Sequence, residues 1–209
     1  MSGLGGLSSE EVVVGDVVSS GWWLVDDDPE PRGRVVAGPF SERADARWAA
    51  AFSDEPWQVH PVYGVLRADG VLNRRPSPED WAWLGHLGEQ LERLPDDWDT
   101  GLTDDDPLTT LVVEVTAALA ETGLPLNDAT GPGAGLGGAC LRTEPGLDGI
   151  VVTWRQHDRM SVDQVHGGAV DAAVQQAMNR TLADVLVLRG FQVEQLARSS
   201  GSVVRPARS

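Results

Sequence analysis

The sequence predicts an α+β protein of two small domains, each with a β-hairpin, an amphipathic helix and a return strand, and one long helix in the C-terminal half. Three observations lead there. Paired runs of strand-forming residues flank turn-forming ones at Trp22–Val25 and Arg34–Ala37, and again at Ala139–Thr143 and Ile150–Trp154. Apolar residues at helical spacing follow helix start signals in both halves. The charge is uneven: residues 1–106 carry 22 Asp/Glu and 8 Arg, a net of −14, whereas 107–209 carry 10 and 8, a net of −2. With 209 residues the chain has length for two small domains. We read 1–95 as an acidic, tryptophan-rich domain, 96–106 as an Asp-rich linker and 107–209 as the domain with the long helix.

Glu11 to Val18 suits a short strand. Asp26 to Gly33 holds three Asp, two Pro and a Gly, which makes it the loop of the first hairpin, and Gly38-Pro39-Phe40 ends the second strand. Ser41 is expected to cap a helix whose stripe is Ala44, Trp48, Ala51 and Phe52. Trp57 to Leu66 returns as a strand and turns at Ala68-Asp69-Gly70. Ser77 and Pro78 open a second helix at N-cap and N1, with Glu79 and Asp80 at the positive end of its dipole. Trp81, Leu84, Leu87, Leu91 and Leu94 form its stripe, and Pro95 stops it.

From Asp96 to Asp106 six of eleven residues are Asp, the composition of a solvated connector. Asp106-Pro107 then starts a helix with the stripe Leu108, Leu111, Val112, Val115 and Leu119, and Gly123 ends it. A glycine-rich loop, Gly131 to Gly138, precedes the second hairpin, whose turn is Pro145 to Gly149. Ser161 and Gln164 are spaced as a capping box for a helix running to about Arg189, about 40 Å at 1.5 Å per residue. It is expected to bury Val165, Ala169, Ala173, Ala177, Leu182 and Val185 or their neighbours, with a kink or break at Gly167-Gly168. Gly190 caps it, and strands follow at Phe191–Leu196 and Ser202–Arg205.

Composition narrows the function. No stretch approaches the roughly 18 apolar residues of a membrane span, and Met1 to Ser9 lacks the basic and apolar regions of a secretory signal. One cysteine, Cys140, excludes an internal disulfide framework, so a cytoplasmic location is expected. The acidic first half argues against direct nucleic-acid binding, because phosphate contacts need a cationic surface. All 16 basic residues are Arg, which we read as the mark of a GC-rich, actinobacterial-type coding sequence.

Few motifs carry chemistry. Gly133-Ala134-Gly135-Leu136-Gly137-Gly138 matches the dinucleotide fingerprint by letter, but a helix precedes it and a strand follows, so no helix N-terminus receives a pyrophosphate. No cofactor is therefore expected. His60, His86, His157, His166 and Cys140 are scattered without ligand spacing, and the runs at Asp26–Asp28 and Asp104–Asp106 lack the EF-hand pattern, so no metal is expected. Ser161, His157 and Asp158 have the residue types of a hydrolase triad without its nucleophile elbow.

The densest polar cluster is Arg155, His157, Asp158 and Arg159, where a strand gives way to a helix. Two arginines can fork onto a carboxylate or phosphate, and His157 beside Asp158 can act as an oriented base. Its alternative is a solvated loop in which Asp158 neutralises an arginine. Seven of eight tryptophans precede residue 99. Neither Trp22/Trp23 on a strand nor Trp81/Trp83 on a helix can present both rings to one face. These four are therefore the interface candidates, because exposed tryptophan is enriched at binding hot spots. Packing mass in a small domain is the competing reading.

Gly33-Arg34-Val35-Val36-Ala37-Gly38-Pro39-Phe40, followed by Ala44 and Trp48, resembles the strand–G-P-F–helix half of SPOR domains, modules that bind peptidoglycan stripped of stem peptides. The resemblance implies a strand, a turn and an amphipathic helix; the other half of the family pattern has no match, and no functional residue is carried over.

The expected function is a non-enzymatic, cytoplasmic protein-interaction or accessory protein of bacterial origin, with a protein partner of basic character and scope for self-association. The alternatives are a small ligand-binding domain or enzyme using Arg155, His157, Asp158 and Arg159, or an acidic mimic of nucleic acid.

Overall fold

The computed structural model of the chain describes residues 20–26, 34–53, 56–103, 105–162, 167–196 and 201–206. The strand expected at Glu11 to Val18 lies outside these residues, as do Gln164, Val165, His166 and most of the first hairpin loop. The chain is α+β and divides into two compact units, Met1–Trp81 and Ala82–Ser209.

In the first unit, β1 (Ser20–Asp26), β2 (Val35–Phe40), β3 (Val59–Leu66) and β4 (Leu72–Arg74) form an antiparallel sheet in the order β2-β1-β3-β4. The second strand runs on through Gly38 and Pro39 to Phe40, past its expected end. Strand alternation puts Trp22 and Leu24 on one face. Trp22 lies opposite Tyr63 on β3, their rings edge-on with centroids 5.4 Å apart. Helix α1 (Arg43–Ala51) covers this face with Ala46 and Ala50, which join Trp22 and Leu24 in the core.

The stripe Ala44, Trp48, Ala51 and Phe52 is exposed. The Trp22 indole already fills the sheet face, so close approach of the helix calls for alanine where the two meet. Nor is Ser41 the cap: Glu42 occupies the N-cap, with extended backbone and no side-chain cap bond.

Trp23 faces the other way and is buried too. Its Nε1 donates to the Gly64 carbonyl at 3.1 Å. Gly38 lies against it with φ +129, and a Cβ there would come within 2.8 Å of Trp23 Cε3. Only glycine suits that position.

The division between the units falls within α2 (Pro78–Leu91). Its start is as expected: the Asp80 N–H donates to Ser77 Oγ at 3.1 Å, and the Ser77 N–H donates to Asp80 Oδ2 at 2.8 Å. This is a capping box with Asp in the third position.

The second unit holds the larger core. Its strands β5 (Gly138–Glu144), β6 (Gly149–Arg155), β7 (Gln192–Gln195) and β8 (Ser202–Arg205) pair antiparallel in the order β5-β6-β8-β7. Ala139, Leu141, Ile150, Val152 and Val204 are buried in one cluster with α3 and α5. Helix α3 (Pro107–Glu121) starts as expected, the Asp106 side chain accepting from the Leu108 N–H at 2.8 Å, and buries all five residues of its stripe. Trp98 and Leu102, from the Asp-rich stretch, pack against the same cluster, and Thr143 Oγ1 donates to the Trp98 carbonyl at 2.8 Å.

A short helix, α4 (Asp158–Val162), contains Ser161, which is therefore not the cap of the long helix. Helix α5 (Gly168–Leu188) begins at the glycine pair, with Gly167 at φ +77 as its N-cap residue. The expected break falls at Gly167, which is not helical, and α5 starts after it. At the other end Gly190 takes φ +94 beyond the C-cap. Leu182 and Leu186 are buried as the helical pattern requires, but Ala169, Ala173 and Ala177 are exposed. Alanine there serves helix propensity without any packing role.

Candidate functional site

The sequence-derived cluster sits at the end of β6. The ladder to β8 closes at Val152 opposite Ser202, which leaves the Trp154 N–H and carbonyl beyond the last strand pair. Helix α5 supplies their partners from residues one turn apart. Asn179 Oδ1 accepts from the Trp154 N–H at 2.7 Å, and Gln175 Nε2 donates to the Trp154 carbonyl. Gln156 Nε2 donates to the Asp171 carbonyl at 2.6 Å. Asn179 Nδ2 and Gln156 Oε1 are buried with no partner among the described residues.

Of the four cluster residues, the structure brings two together by their side chains. Arg155 and Asp158 form an ion pair at 3.3 Å, with both side chains about half exposed. They line an open groove of about 570 Å³ with Gln156 and Cys140. His157 and Arg159 are not in its lining. His157 Nδ1 accepts the Arg159 backbone N–H at 3.1 Å, so the ring is turned to its own helix turn. Ser161 contributes a backbone position in α4.

Burial pushes the Cys140 thiol up against the weaker opposing pull of Arg155, which keeps it protonated and a poor nucleophile near neutral pH. A second groove, about 720 Å³, runs along α5 and is lined by Gln175, Asn179, Arg180, Asp184, Gln195 and Ser202. Its lining is rich in side-chain amides, suited to hydrogen-bonded recognition, and among the described residues it holds no nucleophile–base pair.

The glycine loop binds an anion from its own chain. The Gly131 and Gly133 N–H groups donate to the Asp128 carboxylate at 2.6 Å and 3.0 Å. A short 3₁₀ turn and then β5 follow it, so no helix N-terminus receives a phosphate there, and the Gly133 N–H of the motif is already bonded to Asp128. Among the described residues no group of three His, Cys, Asp or Glu could hold a metal ion, and no helix is long and apolar enough to cross a membrane.

The tryptophans divide sharply. Trp22 and Trp23 are 5% and 7% exposed, which withdraws both rings from the surface despite their opposite faces. Trp83 is half-buried, with its ring centroid 5.9 Å from that of His86. Trp81 is exposed, and so are three aromatics that sequence reasoning did not single out as a surface: Trp48 at 69%, Phe52 at 72% and Trp57 at 75%. Trp48 on α1 and Phe52 at its C-cap have ring centroids 4.6 Å apart. The signal that marks them is the alanine at positions 46, 49 and 50, whose small side chains identify the packed face. No family model matches the chain, and neither a curated protein nor a solved structure matches it.

Proposed function

We propose that this chain is a non-enzymatic protein-interaction protein, cytoplasmic and bacterial, which docks a partner through the aromatic face of α1. One observation carries the reading: Trp48 and Phe52 lie against each other on the helix face turned away from the core. A large aromatic pair left in water stabilises the monomer only weakly, through its own i,i+4 contact, and such residues are enriched among the anchors of interfaces. The net charge of −16 suits a basic partner and speaks against direct contact with nucleic acid.

The test compares wild type with the Trp48→Ala/Phe52→Ala double variant against a partner purified with the wild-type chain. The variant is expected to bind at least about tenfold more weakly with a melting midpoint changed by no more than the loss of a surface i,i+4 contact. Affinity should also fall as salt rises. Equal binding by the variant would remove α1 as the contact surface.

A further inference from the structure

The first unit carries a concentration of positive charge that its composition does not suggest. Residues 1–81 hold 14 Asp/Glu and 7 Arg, a net of −7. Yet three of those seven arginines, Arg43, Arg74 and Arg75, line one cavity of about 330 Å³, whose wall also includes Trp22, Tyr63 and Asp80. None of the three makes an ion pair among the described residues. In an acidic unit, where carboxylates outnumber guanidinium groups two to one, three unpaired arginines around one hollow call for an anionic occupant.

Local structure fixes two of the three positions. The Arg43 guanidinium stands over the Trp22 ring, 5.3 Å from its centroid, and that ring is braced edge-on by Tyr63. A cation–π contact of this kind restrains the guanidinium, so less entropy is lost when it binds. Arg75 is tied through its backbone, its N–H donating to the Tyr63 carbonyl at 3.0 Å. Arg74 closes β4 opposite Gly64.

Asp80 is the one carboxylate among the described residues of the wall. The Ser77 N–H, then the Ser77 hydroxyl and the more distant Arg43, hold its carboxyl below the usual range, so it is ionised at neutral pH. Its Oδ2 is already an acceptor for Ser77. Three guanidinium groups against that carboxylate, with the His60 imidazole also in the wall, leave an excess of at least two positive charges. A dianion matches that excess. The cavity lies at the lower end of small-ligand sites, which fits a compact group.

We infer that Arg43, Arg74 and Arg75 form a binding site for a phosphate monoester dianion in the first unit, independent of the α1 contact surface. The forked guanidinium groups satisfy several phosphoryl oxygens at once, and the Tyr63 ring supplies an apolar wall for the ester group. Inorganic phosphate shares the recognised chemistry without that last contact.

The test uses the full chain with isotope-labelled arginine side chains, titrated separately with phenyl phosphate and with inorganic phosphate at constant ionic strength. Saturable shifts are expected at the Nε–H groups of Arg43, Arg74 and Arg75. Arg67, paired with Asp69 at 3.0 Å, and Arg47, outside the cavity, should stay unmoved. Arg74→Ala/Arg75→Ala should weaken phenyl phosphate binding about tenfold or more, whereas Arg47→Ala, which removes equal charge, should not. Tighter binding of phenyl phosphate identifies an organic ester as the ligand, and equal binding identifies free phosphate. Uniform small shifts of every arginine, or none, would overturn the site, and that result needs no variant to fold.

Discussion

Both units build a four-stranded antiparallel sheet and cover a face of it with helix, but the side chains that do so differ in kind. The first unit uses a few bulky aromatics against alanine: Trp22 and Leu24 from the sheet meet Ala46 and Ala50 from α1. The second interleaves Leu, Ile and Val from both layers, with Leu111, Leu119, Leu182 and Leu186 facing Ile150 and Val152. When one indole supplies most of a core, the facing helix is reduced to small residues and its own large side chains are left on the outside. When many medium side chains interdigitate, every apolar stripe has somewhere to go. The exposed Trp48 and Phe52 are thus linked to the buried Trp22.

That contrast can be broken most directly at Trp22. Trp22→Ala should cost about 3–5 kcal/mol and abolish amide protection across β1 and β3, because no neighbouring side chain can refill the space. Hydrogen exchange would show it, and persistence of protection in β5 and β6 would establish that the second unit folds without the first. Leu186→Ala should cost about 2–5 kcal/mol, read as a lower denaturation midpoint, but should leave a cooperative transition because the surrounding core is shared among many residues.

Ser77→Ala is expected to cost about 1 kcal/mol through the lost cap. It should also raise the Asp80 carboxyl midpoint in part, since the Ser77 hydroxyl contact is lost while the backbone N–H of residue 77, the larger cause of the depression, is kept. The sign follows from linkage: a carboxyl with a lowered folded-state value stabilises above its unfolded value, about 3.9, and that contribution fades as pH drops through the folded value. Carboxyl NMR titration of wild type and variant measures it. The smallest effects are at the start of α5. Gly168→Ala should stabilise by about 0.4–1 kcal/mol, as nothing lies within 4 Å of the added Cβ. Gly167→Ala should destabilise by a similar amount, because φ there is +77. A thermal shift of the same sign for both would contradict the helix start.

The legibility of the fold varied with how many signals agreed at one place. For α3 a cap, a proline and a five-residue apolar stripe all coincided, and the structure follows them. For α1 the helix itself was legible, but its buried face was not, because alanine carries no burial signal while tryptophan carries a strong one. The short β4 went unread: Leu72 to Arg74 is three residues with an arginine and an asparagine, and pairing with β3 makes it a strand. Ser161 looked like a cap because spacing alone cannot tell the first helix of a broken pair from the second.

At the candidate site, sequence reasoning located Arg155 and Asp158, which do pair. It missed Gln175 and Asn179, since an amide that completes a strand edge follows no period. It missed the arginine cavity as well, because Arg43 and Arg74/Arg75 are far apart in sequence and meet only through the order β1-β3-β4 with α1 across it.

The division of the tryptophans into buried and exposed sets has an optical consequence. Five of the eight lie in the first unit, at positions 22, 23, 48, 57 and 81. Trp22 and Trp23, shielded from water, should emit at short wavelength and resist an aqueous quencher, while Trp48, Trp57 and Trp81 should emit to the red and quench readily. Ligand in the arginine cavity, beside Trp22, would then perturb the blue component, and a partner on α1 would perturb the red, so the native chain carries a separate intrinsic reporter for each event.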